Sequence, residues 1–364
     1  MALKRMDQQL FVALLAGGRG TRFWPLSRSA EPKQFLDVTG EGPLLAVTRD
    51  RMDGLCPPEH VFVVTGADLA RRCRQILDFP TSRVLGEPVG RNTCPAVGLA
   101  LLHARHHGND DAVLLALPTD HHVAKRDRLA RVIAKGVKAA RRLRGTVLFG
   151  AVPDRPETGY GYLSLGEERS LPGLAGLRRL ARFKEKPDLA GAKRLLRQGA
   201  WWNTGMFCLH VGATLETIDR VLPELGQGLE ELSRSYGKRT FKKALAEIYP
   251  KLPSISFDHG VLEHQDEIHA LPAEVGWSDV ASWEALAPLL PSDRKGNAAR
   301  GDAVFHDATN CLAVAQGDRP LVLLGTQDLV LVDAGDVVFA CPRDRARDIV
   351  GLRKALEKSH SVLL

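Results

Sequence analysis

The chain has 364 residues, of which 44% are hydrophobic and 26% charged. These proportions are those of a globular protein, and the length allows two domains, or one large domain with an appendage. Fifty lysines and arginines against 43 aspartates and glutamates give a net charge of +7. This excess suits anionic small molecules such as nucleotides and is too weak to argue for a nucleic-acid partner. No apolar run reaches about 18 residues, which argues against a transmembrane helix.

The first residues loosely resemble a signal peptide, because Lys4 and Arg5 precede the apolar stretch Leu10–Gly18. Asp7 interrupts that pattern, and no small-x-small cleavage site precedes a plausible mature start. We therefore interpret the stretch as a buried first strand. Six cysteines are scattered without a CxxC pair. We expect neither a disulfide framework nor a zinc site, and we expect a reduced, cytoplasmic compartment.

Short apolar runs then alternate with helical patterns. The runs predict buried strands at Leu10–Leu15, Val61–Val64, Val113–Leu117 and Val147–Ala151. Their nearly continuous apolar character is typical of a parallel sheet covered on both faces. The helical patterns predict helices at Pro43–Met52, Ala67–Leu77, Pro95–His107, Arg128–Arg144, Asp188–Gln198 and Lys242–Tyr249. This alternation predicts a doubly wound α/β domain.

The helix predicted at Arg128–Arg144 is strongly basic on one side. Its other side carries an apolar stripe of Leu129, Val132, Ile133, Val137, Ala140 and Leu143. We interpret the basic side as a solvated face. An RNA- or membrane-binding surface is the alternative, and the lack of aromatic residues among the charges argues against it.

The sequence changes character at Pro288–Asn297, where two prolines, charges and a glycine predict a linker. Short strands follow at a spacing of about eight to nine residues, which predicts the rungs of a small β-helix or β-roll. These strands are expected at Ala303–His306, Leu312–Ala315, Leu321–Leu324, Leu329–Val332 and Val337–Ala340, before a final helix at Arg343–Lys358. We expect truncation near Asn297 to expose apolar strand residues, namely Val322, Leu324, Val330 and Val332.

The most informative segment is Leu15–Phe35, LAGGRGTRFWPLSRSAEPKQF. A buried strand ends in glycines at positions 17, 18 and 20, which allow a sharp turn and a close approach to a phosphate. Successive N–H groups in such a turn form an anion-binding concavity, to which Arg22 and Lys33 add positive charge. The segment is neither a Walker P-loop nor a GxGxxG dinucleotide fingerprint. For the glycines alone, an ordinary turn with incidental charges is an equal alternative.

This segment resembles the signature of the sugar-nucleotide pyrophosphorylases. Its WPLSR and PKQF motifs are most similar to those of the mannose-1-phosphate guanylyltransferase branch of that superfamily. Six further blocks follow in the family's order: Glu87–Ala96 (EPVGRNTCPA), Leu117–Val123 (LPTDHHV), Glu157–Leu163 (ETGYGYL), Phe183–Pro187 (FKEKP), Trp202–Phe207 (WNTGMF) and Gly276–Trp283 (GWSDVASW). The residues from Asn297 onward also resemble the family's short C-terminal domain, so the resemblance covers essentially the whole chain.

The resemblance implies a Rossmann-like nucleotidyltransferase domain at 1–290, with a mostly parallel mixed sheet and helices on both faces. A small β-helix-like domain with a terminal helix is implied at 297–364. The implied reaction transfers GMP from GTP to α-D-mannose 1-phosphate and gives GDP-mannose and pyrophosphate, with Mg²⁺ as the cofactor. Long, bifunctional members carry an isomerase domain after the β region, and we expect this chain to be the short, monofunctional form. A homodimer is expected on the resemblance only.

The resemblance also implies roles for particular residues. Three would be catalytic, namely Arg22, Lys33 and Lys186, and the side chains of Arg22 and Lys33 should point into a solvent-filled site. The implied nucleotide-binding residues are Leu15, Ala16, Gly17, Gly18, Gly20, Thr21, Arg22, Glu87, Arg91, Asn92 and Thr93. The implied sugar-phosphate-binding residues are Gly159, Tyr160, Gly161, Glu185, Lys186, Asn203 and Gly205. Trp201 and Trp202 are interpreted as packing residues.

An acidic residue, Asp120, follows a buried strand at the edge where open α/β sheets bind ligands. A carboxylate there suits Mg²⁺, which prefers one or two carboxylates plus phosphate oxygens. The alternative is an aspartate that caps the next helix. The resemblance makes Asp279 the partner of Asp120 on one ion. His121 and His122 lack a recognised zinc spacing, and no metal role is expected for them.

The chain departs from the family's usual wording at a few positions. In Ser256–Glu263 (SFDHGVLE), His259 and Leu262 replace the usual residues, whereas Asp258 and Glu263 are retained. Elsewhere, Ala281 stands where glycine is usual and Cys94 where alanine is usual. None of these changes removes a charged site residue.

Two other functions stay open at this point. One is a related nucleotidyltransferase that uses another sugar 1-phosphate or another nucleotide. The other is a non-catalytic, regulatory relative, and such relatives usually lose the Arg, Lys and Asp set that this chain retains. We expect no nucleic-acid and no membrane partner.

Overall fold

The protein is described by a computed structural model that covers residues 6–18 and 20–364. Lys4 and Arg5 of the N-terminal pattern and Arg19 of the glycine loop lie outside the described residues. Within the described part, the chain divides into two compact units. The first unit comprises Met1–Gly17, Thr48–Pro118 and Val123–Trp277, and the second comprises Gly18–Val47, Thr119–His122 and Ser278–Leu364. No helix in the described ranges is both long and apolar enough to span a membrane.

The first unit is built on a nine-stranded mixed sheet, in the order β3-β2-β1-β4-β9-β6-β10-β8-β7. The nine strands of this sheet are β1 (Leu10–Leu15), β2 (Val61–Gly66), β3 (Val84–Glu87), β4 (Val113–Pro118), β6 (Thr146–Ala151), β7 (Tyr162–Glu168), β8 (Arg178–Lys184), β9 (Trp201–His210) and β10 (Ile268–Pro272). Two further short strands, β5 (His122–Val123) and β11 (Trp277–Ser278), form a separate two-stranded sheet. Strands β3, β2, β1 and β4 are parallel, and β9 runs antiparallel to both β4 and β6. The four strands predicted from apolar runs are all present. They are nearly or fully buried, as two-sided cover by helices requires.

Nine helices of the described residues lie between β1 and β10 in the sequence, including all six that the sequence predicts there. They are α1 (Leu44–Asp50), α2 (Ala70–Leu77), α3 (Thr93–His107), α4 (Arg126–Leu143), α5 (Leu189–Arg197), α6 (Val211–Val221), α7 (Pro223–Ser233), α8 (Phe241–Ile248) and α9 (Phe257–Gly260). On α4, the stripe residues Leu129, Ile133 and Val137 are buried, and most of its lysines and arginines are exposed. The basic side of this helix is therefore exposed to solvent, as predicted.

The second unit contains stacked short strands that follow α10 (Trp283–Leu286). The strands are β12 (Ala298–Arg300), β13 (Ala303–His306), β14 (Leu312–Ala315), β15 (Leu321–Leu324), β16 (Leu329–Asp333) and β17 (Val338–Pro342). β12, β14 and β16 stack in parallel with β17 antiparallel at the edge, and β13 pairs with β15 in parallel. Parallel stacking of successive short strands is the arrangement of a β-helix, so the predicted rungs are confirmed.

One expectation about this unit is wrong for two of its four residues. Val330 and Val332 are fully buried, but Val322 and Leu324 are already 65% and 68% exposed. Side chains alternate between the two faces of β15, so Leu321 and Leu323 are buried in the core while Val322 and Leu324 face solvent.

The predicted final helix at Arg343–Lys358 is present, and its first six residues are 3₁₀-helical. A 3₁₀ helix at Arg343–Asp348 precedes α11 (Ile349–Ser359). The buried side chains Ala346 and Ile349 are three residues apart. That spacing matches the three residues per turn of a 3₁₀ helix, which places both on one side.

Candidate active site

The glycine loop follows β1 and is fixed at two points. In the first unit, the Ala16 N–H donates to the Val64 carbonyl at 2.8 Å, and the Thr65 hydroxyl donates to the Ala16 carbonyl. In the second unit, Gly20 has a φ of 57°, and a Cβ built on it would lie 2.3 Å from Cβ of Lys33. Only glycine meets both conditions. The glycine is therefore required for contact with the PKQF block as well as for the turn.

Lys33 is the central cation of the second unit. Its Nζ lies 3.3 Å from Oδ2 of Asp120 and donates to the backbone carbonyl of Asp279 at 2.6 Å. The residue is only 3% exposed, and the ring of Phe23 lies 5.5 Å from the ammonium. The expectation that Lys33 points into a solvent-filled site is wrong, because two oxygens hold its ammonium inside the fold. Arg22 is exposed, as expected.

The two predicted metal ligands lie in the same unit, around that ammonium. The Asp120 side chain is 41% exposed. Desolvation raises its pKa, but the charges of Lys33 and His121 and two hydrogen bonds lower it, and the net pKa lies below its ordinary value. Helix α4 has Lys125 at its N-terminal cap, so Asp120 is not the cap of that helix. The alternative role is thereby excluded.

Asp279 sits in a turn that is unusual in its backbone. Its Oδ1 accepts a hydrogen bond from the Ala281 N–H at 3.0 Å. The intervening residue, Val280, has a φ of 44° and is fully buried. A positive φ at a β-branched residue is an outlier that costs on the order of 1–3 kcal/mol and persists where surrounding structure enforces it. In this strained turn, the Asp279 carbonyl accepts the hydrogen bond of Lys33.

The carboxylates of Asp120 and Asp279 are candidate ligands of a divalent cation. Among the described residues, no group of three or more His, Cys, Asp or Glu side chains could hold a metal. Two carboxylates can hold a divalent ion that takes the rest of its ligands from water and substrate phosphates.

In the first unit, Glu87 is 6% exposed and forms a pair with Tyr249. The Tyr249 hydroxyl donates to Oε1 of Glu87 at 2.6 Å. Burial raises the pKa of Glu87, and this hydrogen bond partly offsets the rise. A Cβ on Gly17 would lie 3.3 Å from the other oxygen, Oε2. Oε1 of Glu87 therefore already accepts a hydrogen bond within the protein. The sequence analysis gave Tyr249 no role.

The segment Arg91–Thr93 leads into α3. Asn92 has a φ of 65°, and its Oδ1 accepts from the Thr93 N–H. The Thr93 hydroxyl accepts from the Phe257 N–H at 2.9 Å, so both side chains serve the local fold. Arg91 differs, because its Nε is buried and has no hydrogen-bond partner in the parts of the chain that the structure describes. An unpartnered buried donor of this kind calls for an explanation such as a ligand.

The FKEKP and WNTGMF blocks come together in one cluster. Lys186 has a φ of 40°, and its Nζ lies 2.8 Å from Oε1 of Glu185. A Cβ on Gly161 would lie 2.6 Å from Oε2 of Glu185. The Asn203 N–H donates to the Gly161 carbonyl at 2.8 Å. Glycine at 161 therefore leaves room for the Glu185 carboxylate.

Asp258 completes this cluster and was given no role by the sequence reasoning. Asn203 Nδ2 donates to Oδ1 of Asp258 at 3.1 Å, and the Asn203 Oδ1 accepts from the Gly205 N–H. Burial raises the pKa of Asp258 to about 6, with a further contribution from the charge of Glu185. The only signal in the sequence was that Asp258 was retained in the SFDHGVLE segment.

The remaining predicted sugar residues line the edge of this cluster. Tyr160 is buried and packs edge-on against Trp202 and Trp277, with ring centroids 5.2 and 5.4 Å apart. The Gly159 N–H donates to Oε1 of Glu157. Trp202 is a packing residue, as expected.

Comparison with known proteins identifies the family of the chain. Residues 12–295 match the profile of the nucleotidyl transferase family. The chain belongs to the nucleotidyl transferase family. Residues 301–356 match the MannoseP isomerase/GMP-like beta-helix domain. The chain is therefore an enzyme of the nucleotidyltransferase type, with the predicted α/β domain and β-helix-like region, and enzymes of this type generally use a divalent metal.

Similar proteins cover nearly the whole chain. The mannose-1-phosphate guanylyltransferase of Escherichia coli K12 is 33% identical over 354 residues, which cover 94% of this chain and 72% of that protein. Xanthan biosynthesis protein XanB of Xanthomonas campestris pv. campestris is 36% identical over 342 residues, covering 92% and 71%. A crystal structure described as mannose-1-phosphate geranyltransferase from Thermus thermophilus has a TM-score of 0.86 and 34% identity, and the match covers 96% of this chain and 100% of that one.

Proposed function

We propose that this enzyme transfers GMP from GTP to α-D-mannose 1-phosphate and releases pyrophosphate, forming GDP-mannose. The observation that carries the proposal is the buried ammonium of Lys33 between Asp120 and Asp279. It supports a site that handles phosphate charge and a divalent cation together. The relative from Escherichia coli is named for the same reaction.

The chemistry needs little proton transfer, because the attacking phosphate oxygen of mannose 1-phosphate is already ionised. That oxygen attacks the α-phosphorus of GTP in line, the bond to the β-phosphate breaks, and pyrophosphate leaves with its electron pair. Catalysis is then mainly positioning and neutralisation of charge. We assign Arg22 and the backbone N–H groups of the glycine loop to the leaving pyrophosphate. Lys186 offsets charge on the sugar phosphate, and Lys33 acts by positioning Asp120 and Asp279.

We assign the divalent metal as Mg²⁺ and its protein ligands as Asp120 and Asp279. A bound Mg²⁺ neutralises phosphate charge and orients phosphate oxygens. Lys33 holds the Asp120 carboxylate in its ionised form and fixes the Asp279 backbone. This positioning by Lys33 is available before any substrate binds.

For the sugar phosphate, we assign Lys186 to the phosphate and Glu185 and Asp258 to sugar hydroxyls. A hydroxyl needs an acceptor, and carboxylates accept strongly. The Asn203 amide oxygen already accepts from Gly205, which leaves the carboxylates as the acceptors and Asn203 as the residue that orients Asp258. Gly159, Tyr160, Gly161 and Gly205 shape the surrounding wall.

For the nucleotide, we assign the loop residues 15–18, 20 and 21 to the phosphates. Arg91, Asn92, Thr93 and Glu87 are assigned to the base side. Arg91 has the strongest support in this group, because its Nε is buried without a partner among the described residues. A related reaction with another base would be decided by these same side chains.

The remaining assignments concern organisation. We propose a nucleotidyltransferase domain at 1–290 and a C-terminal domain at 297–364, which the two family matches support. We also propose a homodimer and a cytoplasmic location. The six free cysteines are consistent with a reducing compartment.

Pyrophosphate release across a matrix of nucleoside triphosphates and sugar 1-phosphates tests the proposal. The expected result is release that needs both partners and is greatest with GTP and mannose 1-phosphate. Higher kcat/KM with another pair would replace the proposed substrates. No release with any pair would favour a non-catalytic relative.

A further inference from the structure

A cavity of about 530 Å³ lies in the first unit beside β7, β8 and α5. Four cations line it, namely Arg182, Lys184, Lys186 and Arg194. A cavity of this volume is large enough for a small phosphorylated molecule. Glu185, Asn203 and Asp258 do not line it. The cavity is therefore not the sugar cluster, and Lys186 alone belongs to both.

These cations come from neighbouring elements of the first unit. In β8, Phe183 is buried between Arg182 and Lys184, whose side chains are exposed. Arg182 lies opposite Ser164 of the neighbouring β7, and Ser164 supplies a hydroxyl to the lining. Arg194 is exposed on α5, next to the buried Leu195. Two elements thus contribute charge to a single concave surface.

The positive charge of the cavity has little compensation from the protein. Arg182, Lys184 and Arg194 form no ion pair with any carboxylate of residues 6–18 and 20–364. The one carboxylate in the lining, Asp188, accepts from the Gly191 N–H at 2.7 Å as the N-terminal cap of α5. Like charges gathered in a concave site raise its potential and concentrate anions there. The charge of the cavity therefore favours an anionic ligand.

We propose that this cavity binds a small phosphate-bearing molecule and that its occupation weakens binding of the sugar phosphate through Lys186. The Lys186 Nζ lies 2.8 Å from Glu185, and the side chain is 60% exposed, so its flexible stem can serve either neighbour. An anion in the cavity draws the ammonium away from Glu185 and from the sugar phosphate. The proposed binding site is argued from the cavity alone. Its effect on binding of the sugar phosphate rests on the proposed function.

The coupling is reciprocal by thermodynamic linkage. If the anion raises the dissociation constant of the sugar phosphate by a given factor, the sugar phosphate raises that of the anion by the same factor. Phosphorylated molecules that accumulate would then inhibit the enzyme by weakening its binding of the sugar phosphate. Arg182 and Arg194 take no part in the proposed reaction, so they can be changed without touching its machinery.

Calorimetric titration of the full chain with inorganic phosphate, at constant ionic strength, tests the site. The test variant is Arg182→Ala/Arg194→Ala. The matched control is Arg128→Ala/Arg131→Ala on the exposed face of α4, which removes the same charge. We expect the test variant to bind phosphate at this site at least about tenfold more weakly, since hydrogen bonds to charged groups contribute on that scale. The control should bind as the wild type does. Equal binding by all three proteins would overturn the site.

Kinetics test the coupling. In the wild type and the control, phosphate should raise the KM for mannose 1-phosphate, and the test variant should lose most of that rise. Inhibition of the same strength in the test variant would place the phosphate in the reaction site and overturn the coupling. If no protein turns over the proposed substrates, the proposed function fails, while the calorimetric comparison still decides whether the cavity binds phosphate.

Discussion

Replacement of Lys33 by methionine probes the centre of the second unit. Methionine keeps most of the side-chain volume, so the change removes the charge and two interactions and leaves little cavity. The Asp120 carboxylate loses the ammonium that pairs with it, and the backbone carbonyl oxygen of Asp279 loses its hydrogen-bond donor. A hydrogen bond with a charged partner contributes about 1.5–3 kcal/mol. The Asp120 side chain is 41% exposed and can be solvated by water instead, so loss of its ion pair with Lys33 contributes little to the loss of stability.

We therefore expect Lys33→Met to lower the free energy of unfolding by about 2 kcal/mol and turnover by about 10²–10³. Chemical denaturation and steady-state kinetics measure the two effects. The difference in stability should shrink below about pH 4, because the lowered pKa of Asp120 stabilises the folded state only where this carboxylate is ionised. A variant with wild-type stability and wild-type turnover would refute the role given to Lys33.

Four further predictions follow from other contacts. Asp258→Asn should raise the KM for mannose 1-phosphate by about 10–100-fold and leave the KM for GTP unchanged. The pKa of Asp258 is raised to about 6, and the charges of Glu185, Lys186 and His259 act on this carboxylate. The wild-type KM for the sugar phosphate should therefore rise as the pH falls through that value and Asp258 becomes protonated. The variant should keep only the titration of the substrate's own phosphate, and an unchanged profile in the variant would contradict the assignment. Asp120→Asn and Asp279→Asn should each shift the Mg²⁺ titration of activity in the same direction, and the double variant should cost far less than the product of the singles; additive costs would separate the two residues. Arg22→Ala should leave the unfolding curve unchanged and lower turnover by about 10²–10³, and near-normal turnover would remove Arg22 from the site. Truncation after Asn297 should cause aggregation, visible by light scattering, because Phe23, Trp24 and Trp283 share a core with Val330 and Val332; a dispersed truncated protein with full activity would show that the C-terminal strands are dispensable.

Sequence patterns were sufficient where one local signal decides the structure. Continuous apolar runs predicted β1, β2 and β4, whose side chains are buried on both faces. The spacing of turns predicted the short stacked strands of the C-terminal region, including the bounds of β13, β14 and β15. In contrast, β9 was missed, because its sequence WWNTGMFCLH mixes polar and apolar residues while it lies between two other strands.

The site was less predictable because its contacts join distant parts of the chain. Lys33 is buried by partners 87 and 246 positions away, and no local pattern distinguishes a buried lysine from an exposed one. The pairing of Tyr249 with Glu87 spans 162 positions. Asp258 meets Asn203 over 55 positions. In each case the residue type indicated a polar role, and only the fold identified its partner.

Transfer of an isotopic label tests the central claim most directly. Mannose 1-phosphate that carries ¹⁸O in its non-bridging phosphate oxygens is incubated with unlabelled GTP and Mg²⁺, and the products are analysed by mass spectrometry. Attack by the sugar phosphate on the α-phosphorus predicts GDP-mannose that retains all of the label and pyrophosphate that contains none. Label in the pyrophosphate, or GMP formed without any labelled GDP-mannose, would contradict the proposed reaction.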